Sequence, residues 1–199
     1  MKKIISIILA LFIVCGYISV AFAYNPDDFE NKYGGKDVTD KVSVMVDAPA
    51  YMLDKCKLIV NGNEISDHIE DVKIYYDGNK TDSHNVQAQI PFITVIKELG
   101  AKVFWFSDNT AIIIFRGVLF YLNIDKKFLA TSNPLGWPMI NLFQPLFLAG
   151  GVYIGEYTKL KRECIIDNRT DFQFFCALSG GNIKTNIDLE TATITIESK

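Results

Sequence analysis

The 199-residue sequence predicts an α+β fold, with short helices packed on an antiparallel sheet as two degenerate strand–helix–hairpin repeats. Three observations predict it. Phe92, Val95, Ile96 and Leu99 recur at the spacing of one helix face. Two alternating strands joined by a turn follow directly. A worn version of the same pattern then returns about 80 residues later.

The elements follow in order. Residues 24–40 hold Asn, Asp, Gly and Lys without periodicity, which predicts a flexible tether. Val42, Val44 and Val46 alternate as in a strand, and Pro49 ends the run. Residues 57–60 form a short apolar strand closed by Asn61-Gly62, a tight-turn dipeptide. Residues 72–76 form another, ending at Asp77-Gly78. Pro91 suits a first helical turn, and Gly100 ends the helix because a left-handed residue costs glycine least. A strand over 103–106, a turn at Ser107-Asp108-Asn109 and a returning strand over 111–115 complete the unit.

In the second copy Phe172, Phe175, Cys176 and Ser179 repeat the helical spacing, with Gly180 in the place of Gly100. Ile183 stands for Val103. Thr191-Ala192 echoes Thr110-Ala111 after a one-residue insertion, and Ile194 and Ile196 close the strand. Cys176 falls where Ile96 lies, so it is expected in the core. Asp171 replaces Pro91, and Thr185 stands where Trp105 was. Each helix is expected on its own hairpin, 103–115 for the first and 183–196 for the second. Another register makes PLFLAGGVYIGEY a hairpin that enters a helix at Glu156. The repeats span about 57–124 and about 125–199, inside a domain of residues 41–199.

The N-terminus predicts export. Lys2 and Lys3 precede the apolar run 4–14, and Ala21-Phe22-Ala23 fits a signal-peptidase site, so residues 1–23 are expected to be removed before Tyr24. An uncleaved anchor over 4–23 and a lipid anchor at Cys15 are the competing readings; Val14 before the cysteine and apolar GYISVAFA after it argue against the second. Cleavage leaves 176 of the 199 residues, enough to bury roughly 70% of the unfolded surface without metal or disulfide staples. Losing the two lysines takes the net charge from −3 to −5. With no basic stripe beyond Lys159-Leu160-Lys161-Arg162, nucleic acid is not an expected partner. Cys56, Cys164 and Cys176 survive cleavage, which allows one internal bridge at most, with Cys164–Cys176 as the candidate.

Little in the sequence points to catalysis. His68 and His84 are the only histidines, 16 residues apart in loop-like sequence, and read as solvated. There is no G-x-S-x-G nucleophile turn, no C-x-x-C pair and no glycine-rich phosphate loop. No catalytic, cofactor-binding or metal-binding residue is expected, and the chain is read as a non-enzyme without a cofactor. Aromatics are the remaining candidates. Trp105 faces opposite to Phe104 and Phe106 along its strand and is expected to pack in the sheet. Trp137, in the loop SNPLGWPMINLF, with Phe143 and Tyr153, is the candidate surface for a glycan or peptide. A lid folded back on the core is the preferred reading of that loop.

The stretch IPFITVIKELGAKVFWFSDNTAIII resembles the copper amine oxidase N-terminal-like domain, also called the stalk domain. That family reads V/I-P-x-x-x-I-A-x-x-L-G-A-x-V-x-W, a turn, and a T/K-x-V-x-I strand. Ile90, Pro91, Ile96, Leu99, Gly100, Ala101, Val103, Trp105, Thr110, Ile112 and Ile114 match it. Upstream, KLIVNG resembles the family's lead-in strand and turn. The match is strong from residue 57 to about 122 and weak from there to 196; Phe92-Ile93-Thr94 stands where the family commonly carries an arginine. The resemblance implies an antiparallel sheet wrapped on a helix, used as a stalk or spacer in exported bacterial proteins. Cell-wall or other envelope components are then the expected partners, with membrane contact only through an uncleaved signal segment. It does not imply copper, because the family's metal and redox cofactor belong to a separate catalytic domain.

Overall fold

The computed structural model describes residues 30–41, 43–44, 49–78, 85–131, 152–153, 158–180 and 182–199. The signal segment, His84, Trp137 and Phe143 lie outside them. Among the described residues 48% are strand and 18% helical, with two helices and several sheets. The chain is a mostly-β protein, which overturns the expected α+β arrangement of helices packed on an antiparallel sheet. Helical spacing governs only two stretches, of seven and six residues. Period-two alternation and continuous apolar runs, the strand signals, govern far more of the chain.

In chain order the strands are β1 (Lys36–Asp37), β2 (Ser43–Val44), β3 (Ala50–Leu53), β4 (Lys57–Val60), β5 (Asn63–Glu64), β6 (Lys73–Asp77) and β7 (Val86–Pro91). Helix α1 (Phe92–Glu98) leads into β8 (Lys102–Trp105), β9 (Thr110–Phe115), β10 (Val118–Asn123) and β11 (Phe128–Thr131). Then come β12 (Val152–Tyr153), β13 (Thr158–Leu160), β14 (Glu163–Asp167), α2 (Gln173–Leu178), β15 (Ile183–Asp188) and β16 (Thr193–Ser198). They form a six-stranded sheet β1-β3-β6-β7-β14-β13, a four-stranded meander β11-β10-β9-β8, a second four-stranded sheet β15-β16-β4-β5 and the pair β12-β2. The strand at 158–160 excludes the register with a helix entering at Glu156.

Residues 31–41, expected largely as tether, are docked on this framework. β1 pairs with β3, and residues 39–41 make a 3₁₀ turn. The Tyr76 hydroxyl donates to Asn31 Oδ1 at 2.6 Å and accepts the Gly35 N–H at 3.1 Å. Gly35 looked like a flexible residue but permits a close approach. A Cβ there would lie 2.8 Å from the Tyr76 hydroxyl and 3.1 Å from the Met52 carbonyl oxygen.

Two strand–helix–hairpin units are present, and they interlock. β7 enters α1 directly, with Pro91 as the last strand residue and the helix cap, not in the first helical turn. β14 pairs antiparallel with β7, then passes through a π-helical turn over residues 168–172 before α2. Asp171 sits in that turn, so it does not occupy a place like that of Pro91. Gly100 (φ 94°) and Gly180 (φ 66°) both take left-handed conformations after their helices. Ile96 and Cys176 are buried, and Lys97 and Ala177 are exposed. Thr191 and Ala192 lie in the β15–β16 turn, whereas Thr110 and Ala111 open a strand.

The expected pairing of each helix with its own hairpin does not describe the second helix. Phe175 meets Phe92 edge-on at 5.1 Å, stacks on Phe115 at 5.5 Å and lies 4.8 Å from Phe120, all in the first unit. β16 likewise pairs in parallel with β4, far back in the chain. The main apolar core spans both units, with Leu58, Ile90, Ile96, Phe120, Phe175 and Ile194 in a single cluster, and a small second cluster joins Val38, Ala50 and Tyr75.

Candidate functional site

The meander β8–β11 buries one face and exposes the other. Ala111, Ile113, Phe115, Phe120 and Leu122 point inward. On the opposite face Phe104, Ile112 and Tyr121 lie in one cross-strand row, with Lys102, Ile114 and Leu119 in the next. Phe104 is 52% exposed, and Ile114, Leu119 and Tyr121 are each 38% exposed. Phe106, 69% exposed, extends the patch beyond the end of β8. These large apolar side chains, close together on the solvent-facing side of the sheet, make it the candidate interaction surface. Sequence alternation correctly set Phe104 and Phe106 opposite to Trp105, which is half-buried against the core. It missed Ile114, Leu119 and Tyr121. The available signal was the unbroken apolar character of AIIIF and VLFYL, where a strand with one solvated face ordinarily alternates with polar residues.

The chemistry-bearing groups in the interior are used differently. Pro91 offers α1 no side-chain acceptor, and β14 supplies one. Glu163 is 2% exposed. Its Oε1 accepts the N–H groups of Ile93 at 2.7 Å and Cys164 at 2.8 Å. Its Oε2 accepts the Thr94 N–H and the Thr94 hydroxyl, each at 2.8 Å. Burial pushes its carboxyl above the ordinary range, partly offset by these donors. A raised carboxyl is often a catalytic sign. Here both oxygens are occupied by four donors of the protein itself, so the group holds structure. Asn168, also buried, accepts the Ala88 N–H at 2.7 Å and ties the second unit to β7.

Other groups singled out by sequence fall in separate places. Tyr153 lies in β12, opposite Ser43 of β2. His68, at φ 59°, precedes a 3₁₀ turn, with Nδ1 3.8 Å from an Asp71 oxygen. Together with exposed Glu70, these ligand atoms lie within 4.8 Å of one another, and no other group among the described residues is so placed to hold a metal. They are surface groups of a kind common without an ion. Cys56 and Cys176 are buried free thiols, so no Cys164–Cys176 bridge forms. Burial pushes Cys56 up to about 11 and Cys176 up to about 12. The basic cluster at 159–162 meets acids in the turns of the meander: Arg162 Nε lies 3.1 Å from Asp108 Oδ1, and Lys159 pairs with Asp125. These pairs are about half exposed and contribute little to stability.

Compared with protein-family models, with curated proteins and with solved structures, the chain matches none. No helix among the described residues is long and apolar enough to cross a membrane.

Proposed function

We propose that this chain is a non-catalytic domain of the exported bacterial envelope, serving as a stalk or scaffold. One observation carries the reading: buried polar groups that could serve chemistry are instead used to fasten one unit to the other, Glu163 above all. The interlocked units behave as one rigid spacer rather than two jointed modules. The leader-like N-terminus and the resemblance to stalk domains support the envelope setting. Mass spectrometry of the protein recovered from the envelope should find Tyr24 at its N-terminus. A chain retained in the cytoplasm with residues 1–23 attached would sink the proposal.

The exposed aromatics of the meander favour a second reading, an extracellular module that binds cell-wall glycan. Aromatic faces beside a lysine suit sugar rings, whose C–H groups stack while their hydroxyls hydrogen-bond. Co-sedimentation with purified cell-wall glycan, lost in the double variant Phe104→Ser/Tyr121→Ser, would favour it. Equal sedimentation of both proteins would remove it.

A further inference from the structure

The parallel pairing of β4 with β16 fixes how tension travels through the molecule. Lys57 is opposite Thr193, and Val60 is opposite Ile196, so both strands run the same way. Load applied just before β4 enters that strand at Lys57, and load from the C-terminal side enters β16 at Ser198; β1 and β3, earlier in the chain, are held separately in the six-stranded sheet. Lys57 and Ser198 lie at opposite ends of one parallel pair. The two strands are therefore pulled past each other, and every hydrogen bond between them takes load together. A hairpin pulled at its open end instead loses its bonds one at a time.

The C-terminal end of β16 is fastened from several sides. Ser198 N–H donates to Asn61 Oδ1 at 2.9 Å, and Asn61 N–H donates to the Ile196 carbonyl at 2.9 Å. Arg116, from the turn of the other four-stranded sheet, donates to Ser198 Oγ at 2.7 Å and to the Lys199 carbonyl at 3.3 Å. Lys199 N–H reaches the Asn182 carbonyl at 3.1 Å. At the other end Lys57 N–H donates to the Ala192 carbonyl at 2.9 Å. Beneath the strands, Leu58, Val60, Ile194 and Ile196 are fully buried, which keeps water from the ladder as it is strained.

We propose that the β4–β16 pair is a mechanical clamp, so that the body from β4 to β16 bears tension applied across its two ends. This deepens the spacer reading and rests on it: a spacer between an anchored part and a moving part must transmit force without unfolding. Forced unfolding follows the rate of crossing the unfolding barrier, not equilibrium stability, so the clamp is measurable separately from stability.

Single-molecule pulling on the full chain tests it with two pairs of surface handles. Lys55→Cys with Lys199→Cys loads the pair in shear; Asn63→Cys with Lys199→Cys pulls at one end and peels it. The shear geometry should need a severalfold higher unfolding force at the same pulling rate. Asn61→Gly keeps the left-handed turn, where Asn61 has φ 48°, but removes the acceptor for Ser198. It should lower the shear force with little change in the chemical-denaturation midpoint. Equal forces in the two geometries, or an Asn61→Gly chain as strong in shear as the parent, would overturn the clamp. Neither result touches the envelope reading, which fails only on the location and processing of the chain.

Discussion

Glu163 Oε1 accepts the Ile93 N–H at 2.7 Å across 70 residues of sequence. The first turn of α1 is thus completed by a strand of the other unit, and the first unit does not present a finished helix start by itself. Truncating this carboxylate should act on the whole domain. Glu163→Ala leaves the buried N–H groups of Ile93 and Cys164 without their acceptor, at about 1–3 kcal/mol for each group, and the half-buried Thr94 N–H as well. Against a total of roughly 5–15 kcal/mol, that variant should be barely folded at 37 °C by circular dichroism.

The same residue predicts a pH dependence. Burial raises the folded carboxyl above its ordinary value, so the folded protein holds that proton to a higher pH than the unfolded chain does. Its contribution is fully present below the ordinary glutamate range and is lost as pH rises through the raised value. Glu163→Gln lacks this titration. Its unfolding free energy should change less than that of the parent from pH 4 upward, as read by urea denaturation at a series of pH values.

Phe175 lies on Phe92, Phe115 and Phe120 at once. Phe175→Ala should lose about 3–5 kcal/mol, and the two units should still melt in one transition, because the ring belongs to the core of both. Two separate calorimetric transitions would show that the units fold independently.

Gly35→Ala should destabilise the chain by about 1–3 kcal/mol, since the new methyl group would sit 2.8 Å from the Tyr76 hydroxyl and 3.1 Å from a backbone oxygen. Hydrogen exchange should then rise first in β1 and the residues around Tyr76. A variant as stable as the parent would mean that residues 31–37 do not dock.

Cys56 and Cys176 should resist alkylation in the folded protein. With the Cys56 thiol pushed up to about 11, only about one molecule in a thousand carries the thiolate at pH 8, and the thiolate is the nucleophile. Mass spectrometry should find no adduct on either residue before denaturation. After denaturation, Cys56, Cys164 and Cys176 should each take one, and a further adduct on Cys15 would report an uncleaved leader.

Sequence reading succeeded where the determinant was local. Asn61-Gly62 and Gly100 have the positive φ values that their turns need. The helix from Phe92 and the hairpin after it follow from spacings of four residues or fewer. It failed where the determinant was a partner far along the chain. No periodicity reveals that a carboxylate at 163 caps a helix at 92, or that residue 57 pairs with residue 193. The helical spacings at 92 and 172 suggested helices as half of the architecture. They are short, and the pairing that builds the four-stranded sheets is carried by strands, near-continuously apolar in β9 and β10 and alternating in β16. The patch around Phe104 was half legible, because alternation gives the facing of a side chain but not what covers it. Trp137 and Phe143 lie outside the described residues, and the patch on β8–β10 is a separate surface.

The bond between Ser198 and Asn61 spans 137 residues, and this distance governs when the protein can finish folding. A chain emerging N-terminus first exposes β4 early, yet β4 must wait for β16 to complete its sheet. Closing so long a loop is entropically expensive before any contact rewards it, and folds rich in such contacts form slowly. Until then the edge of β4 stands open as a template for strands of other molecules. Losing only residues 193–198 during synthesis would thus leave most of the sequence intact but trap it in a sticky, unfinished state.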